Sequence, residues 1–246
     1  MESIKKFGLL GRNIKYSFSK KYFSDKFEQE NLKNNSYENF DLESILDFKK
    51  VLETENLCGL NVTIPYKQEI IPFLDKLSRK ANKIGAVNTI KFTKSGKIKG
   101  YNTDCYGFYK SIIPLLKAHH TKALILGTGG ASKAVSYALA ELNIKVAHVS
   151  RNKIRLGYQY EQLNKEIIND YKIVINCTPL GTSPNLDVCP DFPYELITEN
   201  HLFYDLIYNP EETLFLKKAK EMGATTKNGH EMLILQAQKS WKIWNK

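Results

Sequence analysis

Residues 122–152 read KALILGTGGASKAVSYALAELNIKVAHVSRN, and this stretch decides the fold. Residues 123–126 are a short apolar run closed by a glycine-rich turn, the pattern of a buried strand. Gly127, Gly129 and the small Ser132 follow at G-x-G-x-x-small spacing, with Gly130 and Ala131 between them. From Gly130 to Leu142 the apolar residues Ala131, Ala134, Val135, Ala138, Leu139 and Leu142 recur at helical spacing. Residues 144–149 predict a second, parallel strand. Strand, glycine turn, helix and strand within about 30 residues is the context that makes a glycine motif a dinucleotide-binding fingerprint. Gly127 permits the tight turn, Gly129 lets the backbone approach a pyrophosphate, and Ser132 lets helix and strand pack. The free N–H groups and positive end of the helix then face the phosphates.

The end of the second strand selects the cofactor. NAD sites usually place an acid there to accept from the ribose 2′-hydroxyl. Here the strand ends in Ser150, Arg151 and Asn152, Arg155 follows, and no acid appears before Glu161. A carboxylate would repel a 2′-phosphate, whereas a guanidinium pairs with it. The expected cofactor is therefore NADP(H).

Moving outward, 246 residues suffice for one large or two small domains with a substantial core. A net charge of +10 raises the question of nucleic acid, but the lysines are spread along the chain and form no basic block interleaved with aromatics. A small anionic ligand suits that charge, and no nucleic-acid partner is expected. Cys58, Cys105, Cys177 and Cys189 have no paired short spacing, so reduced thiols in a cytoplasmic protein are expected rather than a disulfide or zinc framework. No segment approaches membrane-span length, and neither a membrane partner nor a metal is expected. His119 and His120 read as solvated linker residues, His148 as a strand residue without a Ser or Cys partner, and His201 as a loop residue.

Toward the N-terminus, residues 6–10 predict a strand, 20–29 a helix, 37–40 a second strand and 42–53 a helix. Ser17 and Ser19 lie two apart, so in an extended loop both hydroxyls point one way and can hold a carboxylate or polyol; the plainer reading is a helix cap. Residues 61–64 alternate polar and apolar, as in a half-buried strand, and Pro65 stops it. Lys67 then sits on a loop past a strand end.

The order of these polar segments resembles that of the shikimate dehydrogenase family over nearly the whole chain. The family pattern G-x-P-I-x-H-S-x-S-P stands here as residues 11–20, GRNIKYSFSK. NVTIPYK (61–67), GAVNT (85–89), NTD (102–104), GTGGAS (127–132), NCTPLG (176–181) and GHEMLILQA (229–237) are similar to further family blocks. The resemblance implies that Ser17 and Ser19 hold a substrate carboxylate, that Thr63, Asn88 and Gln236 bind ring hydroxyls, and that Tyr208 helps close the pocket. It implies Lys67 and Asp104 as the catalytic pair, Gly229 and Met232 beside the nicotinamide, and Arg151 and Arg155 beside the 2′-phosphate. Departures are Asn13 and Lys20 where the family usually has Pro, and Tyr16 and Tyr66 where it usually has His. The stretch after Arg151 is short, which predicts a stunted helix and a short edge strand near residues 156–160.

The implied reaction is reduction of 3-dehydroshikimate to shikimate by NADPH, a step toward aromatic amino acids. A hydride leaves an alkoxide that needs a proton, and a lysine ammonium can supply it. In reverse the lysine must be neutral, so oxidation should improve at alkaline pH. Two other readings stand beside this one, an NAD-using quinate/shikimate dehydrogenase and a non-catalytic ligand-binding relative. The expected architecture is α/β in two domains. Residues 1–104 with 229–246 form an N-terminal α/β substrate domain, and 105–228 a Rossmann-like, doubly wound dinucleotide-binding domain, with the site in the cleft. The expected partner is a small molecule, shikimate or 3-dehydroshikimate, bound by a monomer or homodimer.

Overall fold

A computed structural model describes residues 3–15, 17–152 and 157–246. The chain divides into two compact units, Met1–Thr103 with Ala237–Lys246, and Asp104–Gln236. The sequence places the return to the first unit at residue 229; the contacts place it at Ala237.

The first unit contains, in order, β1 (Lys5–Gly11), α1 (Phe18–Gln29), β2 (Asn35–Asp41), α2 (Phe48–Val51), β3 (Leu57–Val62), β4 (Lys76–Leu77), α3 (Arg79–Ile84), β5 (Thr89–Phe92) and β6 (Ile98–Tyr101). Its sheet runs β2-β1-β3-β5-β6-β4. β1 is parallel to β2 and β3, whereas β5 pairs antiparallel with β3 and β6. Both faces are covered. On one, Phe7 and Leu9 of β1 pack with Phe23 and Phe27 of α1, Tyr37, Ala237 and Trp244. On the other, Leu10, Leu60, Val62 and Ile90 pack with Phe48, Val51, Tyr66 and Ala81. Two-sided cover explains why β3 is not the half-buried strand expected at 61–64: Asn61 is buried too. The helix expected over 42–53 shrinks to a 3-10 turn at Ile45–Asp47 and the single turn α2.

The C-terminal segment is an integral layer of this unit. The Trp244 indole N–H donates to the Ile90 carbonyl at 2.8 Å, and its ring lies 4.9 Å from that of Phe7. Gly59 makes this possible, since a Cβ there would collide with the Trp244 indole. Burying a large side chain such as Phe23 or Phe7 stabilises by roughly 1.5–3 kcal/mol.

The second unit contains α4 (Asp104–Ile112), β7 (Lys122–Leu126), α5 (Gly130–Glu141), β8 (Lys145–Ser150), β9 (Gly157–Gln159), α6 (Lys165–Asp170), β10 (Ile173–Asn176), β11 (Leu202–Asp205), α7 (Leu214–Glu221), β12 (Thr225–Lys227) and α8 (His230–Trp244), of which the last turns belong to the first unit. All of its strand pairs are parallel, in the order β12-β11-β10-β7-β8-β9. This is the doubly wound arrangement, with its order reversing between β7 and β10. β9 is the short edge strand the sequence anticipates after Arg151. Residues 153–156, and with them Arg155, lie outside the described residues, as does Tyr16. Among the described residues no helix is long and apolar enough to cross a membrane.

His120 is buried, unlike the solvated linker residue the sequence suggests, while His119 is exposed and His201 lies in a loop as expected. His120 and His201 are buried, and the ring Nε2 atoms of His119 and His120 both meet the Asn200 carbonyl, at 3.1 and 3.2 Å. His120 Nδ1 accepts from the Lys117 N–H, and His201 Nε2 lies 3.0 Å from the Ile168 carbonyl. They join segments that a sequence scan reads as separate loops. Burial pushes both His120 and His201 below the ordinary imidazole pKa.

Candidate functional site

In the first unit the polar residues singled out by sequence sit at the ends of its strands. Ser17 caps α1, accepting from the Lys20 N–H at 3.3 Å. Ser19 is inside the first helical turn, so the extended-loop geometry expected for the pair does not hold; the cap starts the helix at Phe18 instead of residue 20. A Pro at 20, usual in the family, has no N–H to give Ser17. Asn13 has φ 58°, a value closed to Pro, and its N–H donates to Asp41 Oδ1 at 2.7 Å. Asp41 also takes the Ile14 N–H. The departures at 13 and 20 thus tie the loop to β2 and α1 by bonds a proline could not make. Tyr66, the other departure among the described residues, is a core residue whose hydroxyl donates to the Leu42 carbonyl at 2.6 Å.

Thr63 follows β3, and Lys67 is half-buried with its carbonyl held by the Val87 N–H at 2.7 Å. Asn88 is buried. Its Oδ1 accepts from the Thr103 N–H at 2.6 Å and its Nδ2 donates to Thr103 Oγ1 at 3.0 Å. Behind it lies a buried polar network that the sequence reading missed. Ser240 Oγ is 2.8 Å from Thr89 Oγ1 and 3.1 Å from Thr103 Oγ1, and accepts from Asn61 Nδ2 at 3.0 Å. Tyr37 donates to Asn61 Oδ1 at 2.8 Å and is bonded in turn by the Ser19 hydroxyl. Burial holds the Tyr37 hydroxyl well above its ordinary pKa, so it stays a donor. A continuous network therefore runs from Ser19 to Asn88. A serine in an apolar helix reads as a tolerated small residue, so Ser240 gave no sequence signal.

In the second unit Gly127 closes β7 with φ 105°, its N–H donating to the Val149 carbonyl at 3.0 Å. Gly129 is the N-cap of α5, and a Cβ there would meet no protein atom within 4 Å. The space beside it is open, the N–H groups of the α5 first turn face it, and a dinucleotide pyrophosphate fits that cradle. Gly130 and Ala131 begin the helix, and buried Ser132 donates to the Gly129 carbonyl at 2.6 Å. Ser150 Oγ accepts from the Asn152 N–H at the end of β8, and Arg151 and Asn152 are exposed there.

Asp104 is buried at the first turn of α4. β11 stops at Asp205, three residues short of Tyr208, because the Asp205 carboxylate takes the Ile207 N–H and turns the chain. The same carboxylate accepts from Thr213 Oγ1 (2.6 Å) and Asn176 Nδ2 (3.1 Å), which braces the segment after β10. Burial pushes Asp205 up to about 6 despite these bonds. Tyr208 is half-buried, and burial raises its pKa. Gly229 packs on the Leu206 backbone so closely that a Cβ would collide with the Leu206 carbonyl. Met232 and Gln236 are buried one and two turns into α8, with Gln236 Nε2 donating to the Leu233 carbonyl. His148, read from sequence as lacking a Ser partner, has its Nε2 3.1 Å from Ser136 Oγ and its Nδ1 3.1 Å from the Gly127 carbonyl. With a carbonyl where a triad has its acid, this is no nucleophile.

A doubly wound parallel sheet with a glycine turn and helix N-terminus at its switch point, joined in one chain to a second α/β unit rich in buried hydroxyls and amides, defines a dinucleotide-binding α/β protein of the dehydrogenase class. Residues 9–90 match the shikimate dehydrogenase substrate binding domain, and the chain is 39% identical to a shikimate dehydrogenase (NADP(+)) of Clostridium botulinum over 96% of this chain and 95% of that one. The chain belongs to the shikimate dehydrogenase family. The fold agrees. The crystal structure of shikimate dehydrogenase from Aquifex aeolicus superposes with a TM-score of 0.86 at 37% identity, covering 98% of this chain and 92% of that one. The Thermus thermophilus enzyme in complex with NADP(H) and shikimate gives a TM-score of 0.86 at 29% identity, covering 98% and 93%.

Proposed function

We propose that this protein reduces 3-dehydroshikimate to shikimate with NADPH, reversibly, using Lys67 and Asp104 as its acid–base pair. The observation that carries the reading is the 39% identity spanning nearly all of both chains, with a lysine and an aspartate at the two matching motif positions. The first unit takes the substrate and the second the cofactor. Ser17 and Ser19 donate to the substrate carboxylate, Ser19 by turning its hydroxyl away from Tyr37. Thr63, Asn88 and Gln236 bind the ring hydroxyls, and Tyr208 closes over the ring. Gly127, Gly129, Gly130, Ala131 and Ser132 receive the pyrophosphate. Ser150, Arg151, Asn152 and Arg155 receive the adenosine 2′-phosphate, and Gly229 and Met232 flank the nicotinamide.

NADPH, when bound, supplies a hydride to the substrate's ketone carbon. The Lys67 ammonium donates a proton to the ketone oxygen as its negative charge develops, so the product is a neutral alcohol. Asp104 supplies the carboxylate of the pair. In the oxidative direction neutral Lys67 takes the hydroxyl proton, so that direction gains from alkaline pH.

The test is absorbance at the nicotinamide band with shikimate and either NADP or NAD at alkaline pH, for the native protein and Lys67→Ala. Shikimate-dependent reduction of NADP, weak with NAD and nearly absent in the variant, is expected. Faster turnover with NAD and quinate, or no turnover despite NADP binding, overturns the assignment.

A further inference from the structure

His148 belongs to a closed set of hydrogen bonds around the glycine turn. Its Nδ1 meets the Gly127 carbonyl at 3.1 Å, and a carbonyl can only accept, so that nitrogen carries a proton. Its Nε2 meets Ser136 Oγ at 3.1 Å, and the same hydroxyl lies 2.9 Å from the Ser132 carbonyl, so its one proton is shared between these two acceptors. Ser132 Oγ donates to the Gly129 carbonyl at 2.6 Å. The carbonyls of Gly127 and Gly129 are therefore both held by side chains, His148 from β8 and Ser132 from α5, and Ser136 ties those two side-chain systems together. The peptide joining Gly127 to Thr128 is planar and trans, so its N–H points opposite to its C=O. Pinning the carbonyl against His148 aims the Thr128 N–H away from β8. Thr128 and Gly129 are exposed at that point.

We propose that His148 is a positioning residue for the cofactor. By fixing the Gly127–Thr128 peptide it presents the Thr128 N–H to the dinucleotide pyrophosphate, and through Ser136 it keeps the turn in register with the start of α5. This rests on the NADP(H) reading above. The turn by itself has little to keep it in one orientation: Gly127 lies at a positive φ, and a Cβ on Gly129 would touch nothing. A glycine peptide that can flip presents a carbonyl where a phosphate needs a donor. Removing one such bond weakens binding about fivefold to tenfold.

The experiment titrates NADPH by its fluorescence and measures KM for NADP and shikimate separately, with melting temperatures alongside. His148→Leu is expected to raise the NADPH Kd and the NADP KM about fivefold to tenfold, leaving shikimate KM and kcat within about twofold. His148→Asn places its amide nitrogen near the lost Nδ1 and should recover most of the affinity. His148→Gln reaches toward Ser136 instead and should remain weak. If His148→Leu does not fold, the Asn and Gln pair still decides. Unchanged NADPH affinity in His148→Leu, equal affinities in the Asn and Gln variants, or a shikimate KM that rises in step with that for NADP overturns the role of His148. A native protein that fails to bind NADPH overturns the cofactor reading itself.

Discussion

Ser240→Ala removes one buried hydroxyl from the centre of the first unit's polar network. The site is closed to water: Ser240, Thr89 and Thr103 are each 0% exposed and Asn61 is 4% exposed. Without the hydroxyl, Asn61 Nδ2 keeps only its longer contacts, 3.3 Å to the Asn88 carbonyl and 3.4 Å to Thr89 Oγ1. Thr89 and Thr103 keep each other at 3.2 Å. A buried donor left poorly paired costs about 1–3 kcal/mol, so the variant should lose roughly 2 kcal/mol of unfolding free energy. Urea unfolding followed by tryptophan fluorescence measures it, since Trp241 and Trp244 are the chain's two tryptophans and both belong to this unit. The midpoint should fall with the slope unchanged. Thr89→Val in the same background should then cost less than it does alone, because the partner it would orphan is already gone; a coupling of about 1 kcal/mol is expected. Thr103 aims the Asn88 amide, so the KM for shikimate should rise while that for NADP stays. A loss under about 0.5 kcal/mol, or strictly additive costs for the two substitutions, refutes the argument that these hydroxyls act as one network.

Two glycines should separate folding from cofactor binding. Gly129→Ala meets no protein atom, so its melting temperature should hold while NADPH affinity drops; Gly229→Ala meets the Leu206 carbonyl and should fail to accumulate or melt early. Equal melting temperatures for the two would contradict the packing. Stability should also carry a pH signature below about 6.5. His120 and His201 are held neutral by burial, so their contribution is whole above the unfolded imidazole pKa and is lost as pH falls from there toward their lowered folded values. Asp205 acts in the opposite sense. Its folded pKa of about 6 exceeds the unfolded 3.8, so its contribution is whole below 3.8 and is lost as pH rises through 6. Unfolding free energy should therefore fall as pH drops below 6.5, with the Asp205 gain offsetting part of the two-histidine loss once pH passes 6. His201→Gln, which keeps a donor for the Ile168 carbonyl, should flatten the curve; a native curve already flat from pH 7.5 to 5.5 would sink the assignment.

The second unit was legible because its information is local. The glycine turn, the small residue at 132 and the apolar spacing of α5 lie within one stretch, and a parallel sheet buried on both faces writes each strand as an apolar run. The first unit was harder to read for the same reason in reverse. Its β3 contains Asn61, a polar residue that looks like the solvent face of a half-buried strand. It is buried because Tyr37, 24 residues before it, and Ser240, 179 residues after it, satisfy its amide. Propensity also overstated the helix at 42–53, where only four residues form α2. The burial of His120 and His201, both loop residues, was not legible because their partner carbonyls, Asn200 and Ile168, are distant in sequence.

The same distinction separates the site residues that sequence can find from those it cannot. Gly127 stands out by motif and spacing, and Lys67 and Asp104 by the ordered blocks that resemble the family, because the roles proposed for them serve a ligand. Ser240 and His148 are chosen for what another protein group needs, and a serine in an apolar helix or a histidine in a strand has many ordinary explanations. Only three-dimensional pairing distinguishes them: three buried oxygen and nitrogen partners converge on Ser240, and a carbonyl and a hydroxyl bracket the two ring nitrogens of His148. Substitutions at such positions should therefore shift an affinity or a midpoint while leaving the reaction itself intact, whereas under the proposed mechanism Lys67→Ala should abolish turnover.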